Sequence, residues 1–413
     1  MSGSASSSPA PEGRASGSPA PEGRAAGSPA AEGRPERDAA DGPAGAHDFA
    51  RLLITRLRLR DFRNIAELTL EPAPRFNVIT GDNGQGKTSL LEAIYALCTS
   101  RSFRTDRMKE LPRTGSAFAR VDAELSEGGS PRTQRLTLSG EGRAMFIDEQ
   151  RATRLSEYAT RTPVIVFHPG DLDLTMGGAT ARRDLLDRVG LFSGPGLLDD
   201  RRRYRQAVRE RQKVLELRGE RAPELEAYET LIARHGSRLA QSRAAAALEL
   251  ARTAKSGFRR LAAAELRLEM EYRTGGSVDE AEFRAELVAR RGGDRRRHTS
   301  SFGPHKDDLV LSVDGRPARK TASQGQHRIL ALSLKLGELA AIESARNARP
   351  LLLLDDVSSE LDPARIGAVQ SFLRDSQSQV FVTTTRSDLF QTPGALPSER
   401  RDFRLRAGVL ESF

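Results

Sequence analysis

Residues 81–88, Gly-Asp-Asn-Gly-Gln-Gly-Lys-Thr, constrain the fold of this chain more than any other stretch. They fit the pattern G-x-x-x-x-G-K-[ST] of a phosphate-binding loop. An apolar run over 76–80 predicts a buried strand before the loop, and apolar residues at helical spacing predict a helix over 89–97. In such a unit, backbone N–H groups and the positive end of the helix dipole can surround phosphates. A chance match in a chain with 36 glycines is the alternative, and the flanking elements argue against it.

The loop predicts a site for ATP and its Mg²⁺ ion. Lys87 can reach the β- and γ-phosphates, and the Thr88 hydroxyl can ligate Mg²⁺. The expected cofactor-binding residues in this part of the chain are Gly81, Asp82, Asn83, Gly84, Gln85, Gly86, Lys87, Thr88 and Ser89.

A second apolar run, over 350–354, ends in Asp355 and Asp356 and fits a Walker B strand. The first carboxylate, at the carboxyl end of a buried strand, can hold Mg²⁺, so Thr88 and Asp355 are the predicted metal ligands. Asp356 stands where ABC-type ATPases usually carry the glutamate that orients the attacking water. We therefore predict Asp356, Asp355 and Lys87 as catalytic residues. A helix N-cap after a buried strand is the alternative interpretation of the two carboxylates.

The tetrapeptide at 323–326, Ser-Gln-Gly-Gln, opens an amphipathic helix one element before the Walker B strand and resembles the ABC signature. In that motif a serine, a glycine N–H and the helix dipole point at the γ-phosphate bound to the other subunit. We expect Ser323, Gly325 and Gln326 to act in this way. Alone, Ser-Gln-Gly is an ordinary helix cap, and its place relative to Walker B favours the signature. Residues 358–362 look like the D-loop of the same class.

Further segments occur in the order typical of the RecF family of bacterial DNA replication and repair ATPases, which is related to the SMC heads. The chain resembles that family over residues 52–413, beyond the first 50 residues. The segments that carry the resemblance, besides the Walker and signature motifs, are 57–64, 101–105, 166–172, 182–187 and 303–309.

The resemblance implies a weak, DNA-stimulated ATPase of DNA replication, recombination, repair and the SOS response. It implies a homodimer that closes on ATP and binds gapped DNA or single-strand/duplex junctions. It also implies RecR as a partner, and RecO and RecA indirectly. Arg104 is a candidate to approach the nucleotide. Whether His305 and Lys306 pack near the nucleotide or contact DNA stays open.

Two departures from the general ABC pattern bear on the rate of turnover. Thr384, Thr385 and Arg386 stand where a transporter ATPase carries a switch histidine, and residues 167–172 occupy the place of the Q-loop glutamine. Both argue against fast ATP hydrolysis, in keeping with a slow RecF-like ATPase.

Composition favours a cytoplasmic, nucleoid-associated protein without a membrane partner. No apolar run approaches the roughly 18 residues of a membrane span, and the first residues lack the apolar core of a signal peptide. The single cysteine, Cys98, excludes an internal disulfide framework and falls in the apolar series of the predicted helix after the loop. A core role is therefore favoured over a redox role.

Charge indicates a polyanion partner. The first 50 residues repeat a Pro/Ala/Gly/Ser-rich decapeptide and predict a disordered extension. They hold four arginines and seven acidic residues, which is a net charge of −3. The whole chain has a net charge of +9, so the remaining residues carry +12. Aromatic residues make up only 5%, which favours contacts to phosphate over base stacking. Apolar residues at helical spacing on both sides of the helix breakers Gly219 and Pro223 predict a helical hairpin with a short two-helix seam. We expect its arginines on the outside, where a DNA-contacting face and a solvated face are both open. These are Arg201, Arg202, Arg203, Arg205, Arg209, Arg211, Arg259 and Arg260.

The predicted fold class is α/β, an ABC-type P-loop ATPase head with an inserted helical lobe that forms a short coiled-coil hairpin. Residues 1–50 are the extension, 51–178 the first half of the ATP-binding lobe, 179–291 the helical lobe, and 292–413 the second half. Residues 117–125 and 134–138 are predicted to be β-rich, and a final strand is expected near 403–410. We expect the two Walker strands to be neighbours in a parallel sheet.

The predicted function is an ATP-gated DNA clamp, and three rivals are weighed against it. An SMC-like chromosome-organising head needs far longer coiled-coil arms. A transporter ATPase subunit fits poorly with the missing switch histidine and the basic helical lobe. An ATP-binding DNA scaffold with little turnover is not excluded by the sequence, because Asp356 is one methylene shorter than glutamate.

Overall fold

The chain combines β-strands, several of them fully buried, with α-helices, as the α/β prediction requires. The computed structural model describes residues 49–194, 196–261, 266–356, 363–385 and 395–412. The strands in these ranges are β1 (Ala50–Phe62), β2 (Ile65–Leu70), β3 (Phe76–Thr80), β4 (Phe118–Glu127), β5 (Ser130–Ser139), β6 (Gly142–Ile147), β7 (Gln150–Arg151), β8 (Val164–Phe167), β9 (Leu268–Arg273), β10 (Asp308–Val313), β11 (Arg316–Pro317), β12 (Ala348–Arg349), β13 (Leu351–Asp355), β14 (Val380–Thr384), β15 (Arg400–Arg406) and β16 (Val409–Ser412).

The α-helices of the same ranges are α1 (Lys87–Thr99), α2 (Leu155–Arg161), α3 (Ala179–Ser193), α4 (Leu197–Arg218), α5 (Glu224–Leu261), α6 (Glu280–Ala289), α7 (Arg291–Arg297), α8 (Ala318–Thr321), α9 (Gln324–Arg346) and α10 (Pro363–Ser376). Short 3-10 helices cover Met108–Glu110, Pro169–Leu174, Pro304–Lys306 and Pro397–Glu399. Of the predicted N-terminal extension, residues 1–48 lie outside the described residues, and β1 already begins at Ala50. Among the described helices, none combines the length and the apolar character that a bilayer span requires.

The strand before the phosphate-binding loop lies inside a mainly parallel sheet with the order β16-β15-β3-β14-β13-β8. Only β16 runs antiparallel to its neighbour among the described strands of this sheet. The prediction that the two Walker strands are neighbours is wrong, because β14 lies between β3 and β13. All five residues of β14 are buried, and a strand without a solvent-facing side fits an interior position of a parallel sheet.

Helix α1 lies between this parallel sheet and a second, largely antiparallel sheet. The second sheet has the order β12-β1-β4-β5-β6-β7, with β2 paired to β1, and its strands β4 and β5 match the two segments predicted to be β-rich. Because α1 contacts strands of both sheets, it is buried nearly all round. Cys98 is one of these core residues, as predicted, and burial raises the pKa of its thiol to about 12.

Helices α4 and α5 form the predicted helical hairpin. α4 ends before Gly219, which has a φ of 82°, and α5 begins directly after Pro223, so both predicted helix breakers act where expected. Apolar residues along the seam are buried, among them Tyr204, Leu215, Ile232 and Leu239.

Two of the arginines predicted to line the outside of the hairpin lie inside it. Arg201 pairs with Asp187 at 2.8 Å, and Arg211, which is 1% exposed, pairs with Asp294 at 2.8 Å. The spacing of apolar residues alone predicted that these arginines lie on the outside. They are buried instead because buried carboxylates on other elements pair with them. The side chain of Arg260 lies outside the described residues. The arginines of the set that are exposed are Arg202, Arg203, Arg205, Arg209 and Arg259.

Strands β9, β10 and β11 form a small antiparallel sheet that the sequence did not indicate. β9 belongs to the stretch predicted as the helical lobe, and it pairs with β10 from the stretch predicted as the C-terminal half. The described residues fall into one compact unit, and the division at 178 and 291 stays a prediction.

The chain does not end in the single strand predicted near 403–410. It forms a hairpin of β15 and β16, in which Ala407 and Gly408 have φ values of 48° and 79°. Two successive residues with positive φ suit the tight turn of a hairpin. This turn contacts the phosphate-binding loop.

Candidate nucleotide-binding site

Two glycines of the phosphate-binding loop occupy positions that larger residues cannot take. Gly81 has a φ of 153°, and a Cβ atom there would lie 2.4 Å from the carbonyl oxygen of Leu405. Gly86 has a φ of 108°, and a Cβ atom there would lie 3.0 Å from Asn64 Nδ2. Asn64 Nδ2 also donates to the Gly84 carbonyl at 3.2 Å. The loop is therefore held between β15 and the β1–β2 turn, and glycine is required where it touches them.

Lys87 begins α1 with its ammonium group folded over the loop. Nζ donates to the carbonyl oxygens of Gly81 and Asp82 at 2.6 and 2.8 Å. Burial lowers the pKa of Lys87, against the attraction of Asp356, Asp355 and Asp82. Among the residues that the structure describes, this buried cation is hydrogen-bonded only to neutral carbonyls. It is well placed to exchange them for a phosphate oxygen, because hydrogen bonds between charged groups are stronger.

The two Walker motifs meet at one hydrogen bond. Thr88 Oγ1, on α1, donates to Asp355 Oδ1, at the end of β13, over 2.9 Å. A cleft of about 800 Å³ opens around this contact. The predicted site residues that the cleft brings together are Asn83, Gly84, Gly86, Lys87, Thr88, Ser89, Asp355 and Asp356.

Three predicted residues of the loop do not line this cleft. Gly81 and Asp82 supply the carbonyl groups that hold Lys87. Gln85 is turned toward the β15–β16 hairpin, where its Oε1 accepts from the N–H of Ala407 at 2.5 Å. Its own carbonyl accepts from the N–H of Gly408 at 3.1 Å. Gln85 therefore fastens the loop to the hairpin.

Asp356 leaves the Walker B strand in a left-handed conformation, with a φ of 51°. This conformation is uncommon for a residue with a side chain, and it turns the chain sharply beside the cleft. The Asp356 N–H donates to Thr383 Oγ1 at 3.1 Å, and Thr383 Oγ1 lies 2.8 Å from Asp355 Oδ1. The D-loop-like segment 358–362 that follows lies outside the described residues, as does Arg386.

A buried carboxylate that the sequence analysis missed organises one edge of the cleft. Glu92, on α1, is 0% exposed. It accepts from Arg63 Nη2 at 2.8 Å, from Arg104 Nη1 at 3.3 Å and from Ser102 Oγ at 2.5 Å. Arg63 and Arg104 both line the cleft, so Glu92 holds two guanidinium groups at its edge. The sequence marked 57–64 and 101–105 as family-like segments and Arg104 as a candidate to approach the nucleotide, but it gave no role to Arg63 or Glu92.

The signature-like residues do not belong to this cleft. Ser323 caps α9, with its Oγ accepting from the Gln326 N–H at 3.2 Å and Gln326 Oε1 accepting from the Ser323 N–H at 2.8 Å. This reciprocal cap satisfies two N–H groups at the helix start. Gly325 follows in the first turn. Contact between these residues and a nucleotide on another chain stays a prediction.

His305, whose role the sequence left open, is part of the packing beneath the hairpin. Its Nδ1 lies 2.6 Å from the Tyr204 hydroxyl, and its Nε2 lies 2.9 Å from the Ser300 carbonyl. A carbonyl accepts only, so Nε2 carries the proton and Nδ1 accepts from Tyr204. Burial lowers the pKa of His305, which favours this neutral form. Neither His305 nor the exposed Lys306 lines the cleft.

Comparison with known proteins agrees with this geometry. The family model described as the RecF/RecN/SMC N terminal domain matches residues 53–396. A protein named DNA replication and repair protein RecF from Myxococcus xanthus (strain DK1622) is 38% identical over 350 residues, which cover 82% of this chain and 92% of that protein. Its namesake from Anaeromyxobacter sp. (strain Fw109-5) is 40% identical, over 83% of this chain and 94% of that protein.

Solved structures show the same fold. One titled as the recombination mediator protein RecF-ATPrS in the RecFOR pathway has a TM-score of 0.80 and 25% identity, covering 89% of this chain and all of that chain. A RecF-ATP structure of the same pathway has a TM-score of 0.79 and 26% identity. An Smc head domain from Pyrococcus furiosus matches at a TM-score of 0.51 and 17% identity, which shows the fold alone. The predicted ABC-type head is thereby confirmed.

Proposed function

The chain belongs to the RecF family of DNA repair ATPases, and from that membership we propose that it is an ATP-dependent DNA clamp. In this proposal two copies close around DNA when both hold ATP and Mg²⁺, and slow hydrolysis opens them. The observation that carries the ATP site is the hydrogen bond from Thr88 to Asp355, which joins the two Walker motifs at the cleft. The solved structures of RecF-ATP and RecF-ATPrS support ATP as the ligand.

The side chains at the cleft suit ATP with Mg²⁺. The Thr88 hydroxyl and the Asp355 carboxylate are hard oxygen donors of the kind that Mg²⁺ prefers, and this ion is usually held by one or two protein ligands together with phosphates. Bound there, Mg²⁺ would neutralise charge on the phosphates. Lys87 would bind the β- and γ-phosphates, and Asp356 would orient the attacking water. Arg63 and Arg104, anchored on Glu92, would bring further positive charge to the phosphate end.

The dimer is proposed from the signature motif. The cleft of one chain contains Walker A and Walker B but not the signature, which lies at the start of α9. A second chain related by a two-fold axis can supply it, because such an interface is made twice from the same surface. We propose that Ser323, Gly325 and Gln326 contact the γ-phosphate of the partner's ATP.

DNA is proposed as the polyanion that the clamp encloses. A second cleft, of about 960 Å³, carries Arg101 after α1, Arg143 on β6 and Arg205 on α4. Among the described residues none of these three guanidinium groups forms an ion pair, whereas the buried cations of this cleft do. Unpaired arginines from separate elements are suited to phosphate contacts, which give affinity without reading sequence. The family further suggests gapped or junction DNA as substrate, and RecR, RecO and RecA as associated proteins.

Turnover and assembly test the proposal together. ATP hydrolysis is measured alone, with duplex DNA and with gapped DNA, and sedimentation follows the chain with and without ATP. We expect dimers with ATP and a higher rate with gapped DNA. Ser323→Arg should still bind ATP but lose the dimer and the stimulated rate, while Ser130→Arg, at an exposed turn of the second sheet, should match the wild type. Normal DNA-stimulated hydrolysis by Ser323→Arg would exclude the trans-acting signature.

An ATP-binding DNA scaffold with little turnover is the second candidate, and the short side chain of Asp356 favours it. In that case gapped DNA would bind without changing the hydrolysis rate. An SMC-like organiser fits less well, since α4 and α5 have 22 and 38 residues. At 1.5 Å per residue these helices reach only about 33 and 57 Å.

A further inference from the structure

Thr383, on β14, touches both carboxylate residues of the Walker B motif. Its Oγ1 lies 2.8 Å from Asp355 Oδ1 and 3.1 Å from the backbone nitrogen of Asp356. Thr383 is 0% exposed as a residue and borders the nucleotide cleft. Because β14 separates the two Walker strands, Thr383 sits between Ile79 of β3 and Asp355 in the sheet register. The sequence analysis noted only the threonines that follow it.

The hydrogen-bonding capacity of a hydroxyl group assigns the direction of these contacts. The Asp356 N–H can only donate, so Thr383 Oγ1 accepts from it. The single hydroxyl proton of Thr383 is then available for Asp355 Oδ1, which is an acceptor. Asp355 Oδ1 also accepts from Thr88 at 2.9 Å. One carboxylate oxygen is therefore held from two sides, by α1 and by β14.

The hydroxyl groups of Thr88 and Thr383 have different roles in the proposed function. Thr88 is the predicted Mg²⁺ ligand, so its oxygen has a second task when the metal is present. Thr383 is not a predicted Mg²⁺ ligand, so it can hold Asp355 both with and without the metal. Groups that orient a metal ligand in this way typically change metal affinity or activity by about 10–100-fold when they are removed.

We propose that Thr383 is a positioning residue that orients Asp355 toward the metal and fixes the backbone turn at Asp356. The inference rests on the proposed function, because it assumes that Asp355 serves Mg²⁺. It predicts that the hydroxyl of Thr383 matters for the metal-dependent part of ATP binding and for hydrolysis, and not for ATP binding as such.

Three substitutions separate the hydroxyl from the packing. Thr383→Val keeps the shape of the side chain and removes the hydroxyl. Thr383→Ser and Thr383→Ala form a second, smaller pair that differs by the hydroxyl alone. Thr160→Val is the control, since Thr160 is half-buried on α2, its hydroxyl donates to the Ser156 carbonyl at 2.8 Å, and it does not line the cleft. The affinity for a fluorescent ATP analogue is measured in EDTA and across a Mg²⁺ titration, together with kcat and KM and thermal melting.

We expect Thr383→Val and Thr383→Ala to need about 10–100-fold more Mg²⁺ for half-maximal tightening of ATP binding. Their affinity in EDTA should be unchanged, kcat should fall more than KM rises, and Thr383→Ser should stay close to the wild type. If Thr383→Val fails to fold, the Ser and Ala variants give the same comparison.

Wild-type Mg²⁺ dependence in both Thr383→Val and Thr383→Ala would overturn the inference. Equal losses in EDTA and in Mg²⁺ would also overturn it, because they would indicate a packing role only. If the wild-type protein itself shows no Mg²⁺-dependent ATP binding, the proposed function fails along with the inference. If the wild type shows it and the variants match the wild type, only the inference fails.

Discussion

Arg188 of α3 and the buried Glu338 of α9 form an ion pair, with 2.6 Å between Arg188 Nε and Glu338 Oε1. Lys335 Nζ lies 2.6 Å from Glu338 Oε2, so a carboxylate whose side chain is 1% exposed holds two cations. Burial alone would raise the pKa of Glu338, but Arg188 and Lys335 outweigh it and lower the pKa to about 2. The cluster ties the helix that begins at Ser323 to α3.

Glu338→Gln should destabilise the fold by about 3–5 kcal/mol at pH 7, because it leaves the buried Lys335 and the partly buried Arg188 without their partner. Because the pKa of Glu338 is lower in the folded than in the unfolded chain, its ionised form stabilises the fold. This stabilisation is complete above the unfolded pKa of 4.5 and is lost as the pH falls toward about 2. The gap between wild type and variant should therefore shrink from pH 6 to pH 3 in urea unfolding. Glu286→Gln, which breaks the exposed pair with Arg290, should change stability by less than about 1 kcal/mol at any pH. A pH-independent gap would contradict this assignment.

Glu343→Gln should have the opposite effect. Burial raises the pKa of Glu343 to about 7, and its Oε1 has no hydrogen-bond partner among the described residues. Because the pKa of Glu343 is higher in the folded than in the unfolded chain, the fold loses stability as the pH rises from 4.5 through 7, where the buried carboxyl group must lose its proton. The variant should be more stable than the wild type by about 1–3 kcal/mol at pH 8 and equal to it near pH 4. Equal urea midpoints at pH 8 would refute the prediction.

Lys87→Ala should abolish ATP binding and ATP-dependent DNA binding while the fold survives. Within the described ranges the ammonium group donates hydrogen bonds only to the carbonyls of Gly81 and Asp82 and forms no ion pair, so its loss leaves no described carboxylate unpaired. Circular dichroism should be unchanged, and calorimetric titration with ATP should give no signal. A variant that binds ATP with wild-type affinity would show that the loop does not bind phosphates through Lys87.

Asp356→Asn should slow hydrolysis and stabilise the ATP-bound dimer. The amide cannot take the proton of the attacking water, whereas Asp355 keeps its place at the metal. We expect dimers that accumulate with ATP and dissociate slowly in sedimentation experiments. Unchanged turnover would show that Asp356 is not the base.

Replacing Arg101, Arg143 and Arg205 together by alanine should weaken DNA binding equally for unrelated sequences. Each phosphate contact contributes about −0.9 to the slope of log affinity against log salt, so the slope should fall in magnitude by about two to three. Fluorescence anisotropy at several salt concentrations measures it. Arg316→Ala, an exposed arginine on β11, serves as the control. A triple variant with the wild-type slope would place the DNA elsewhere.

The residues of the motifs were predictable because chemistry fixes their type and order. Thr88 and Asp355 are 267 positions apart, yet the two patterns predicted their encounter before any fold was known. Glu92 and Thr383 were not predictable in the same way. Glu92 is one glutamate on an apolar helix, and its role depends on which segments fold over α1. The role of Thr383 depends on β14 lying between the Walker strands, which no local pattern specifies.

The buried arginines show a further limit. Apolar spacing predicted the seam of the hairpin correctly, and it assigned every arginine to the outside. Arg211 is buried because Asp294, 83 positions away, meets it there. Charge pairs of this kind are set by tertiary contacts, and a single sequence does not reveal them.

Both strands that flank β3 are made late. β14 and β15 come after residue 379, so a ribosome that has released the phosphate-binding loop has not yet made either neighbour. Until then β3 has two open edges, and parallel pairings between distant segments form slowly. Asp355 is made shortly before this last stretch, and Thr383 within it. A product cut short before β14 would carry the glycine motif with Asn64 beside it but without β15 and the hairpin turn that hold its other side. The capacity to capture ATP therefore distinguishes a chain that has been translated through β15 from one that has stalled.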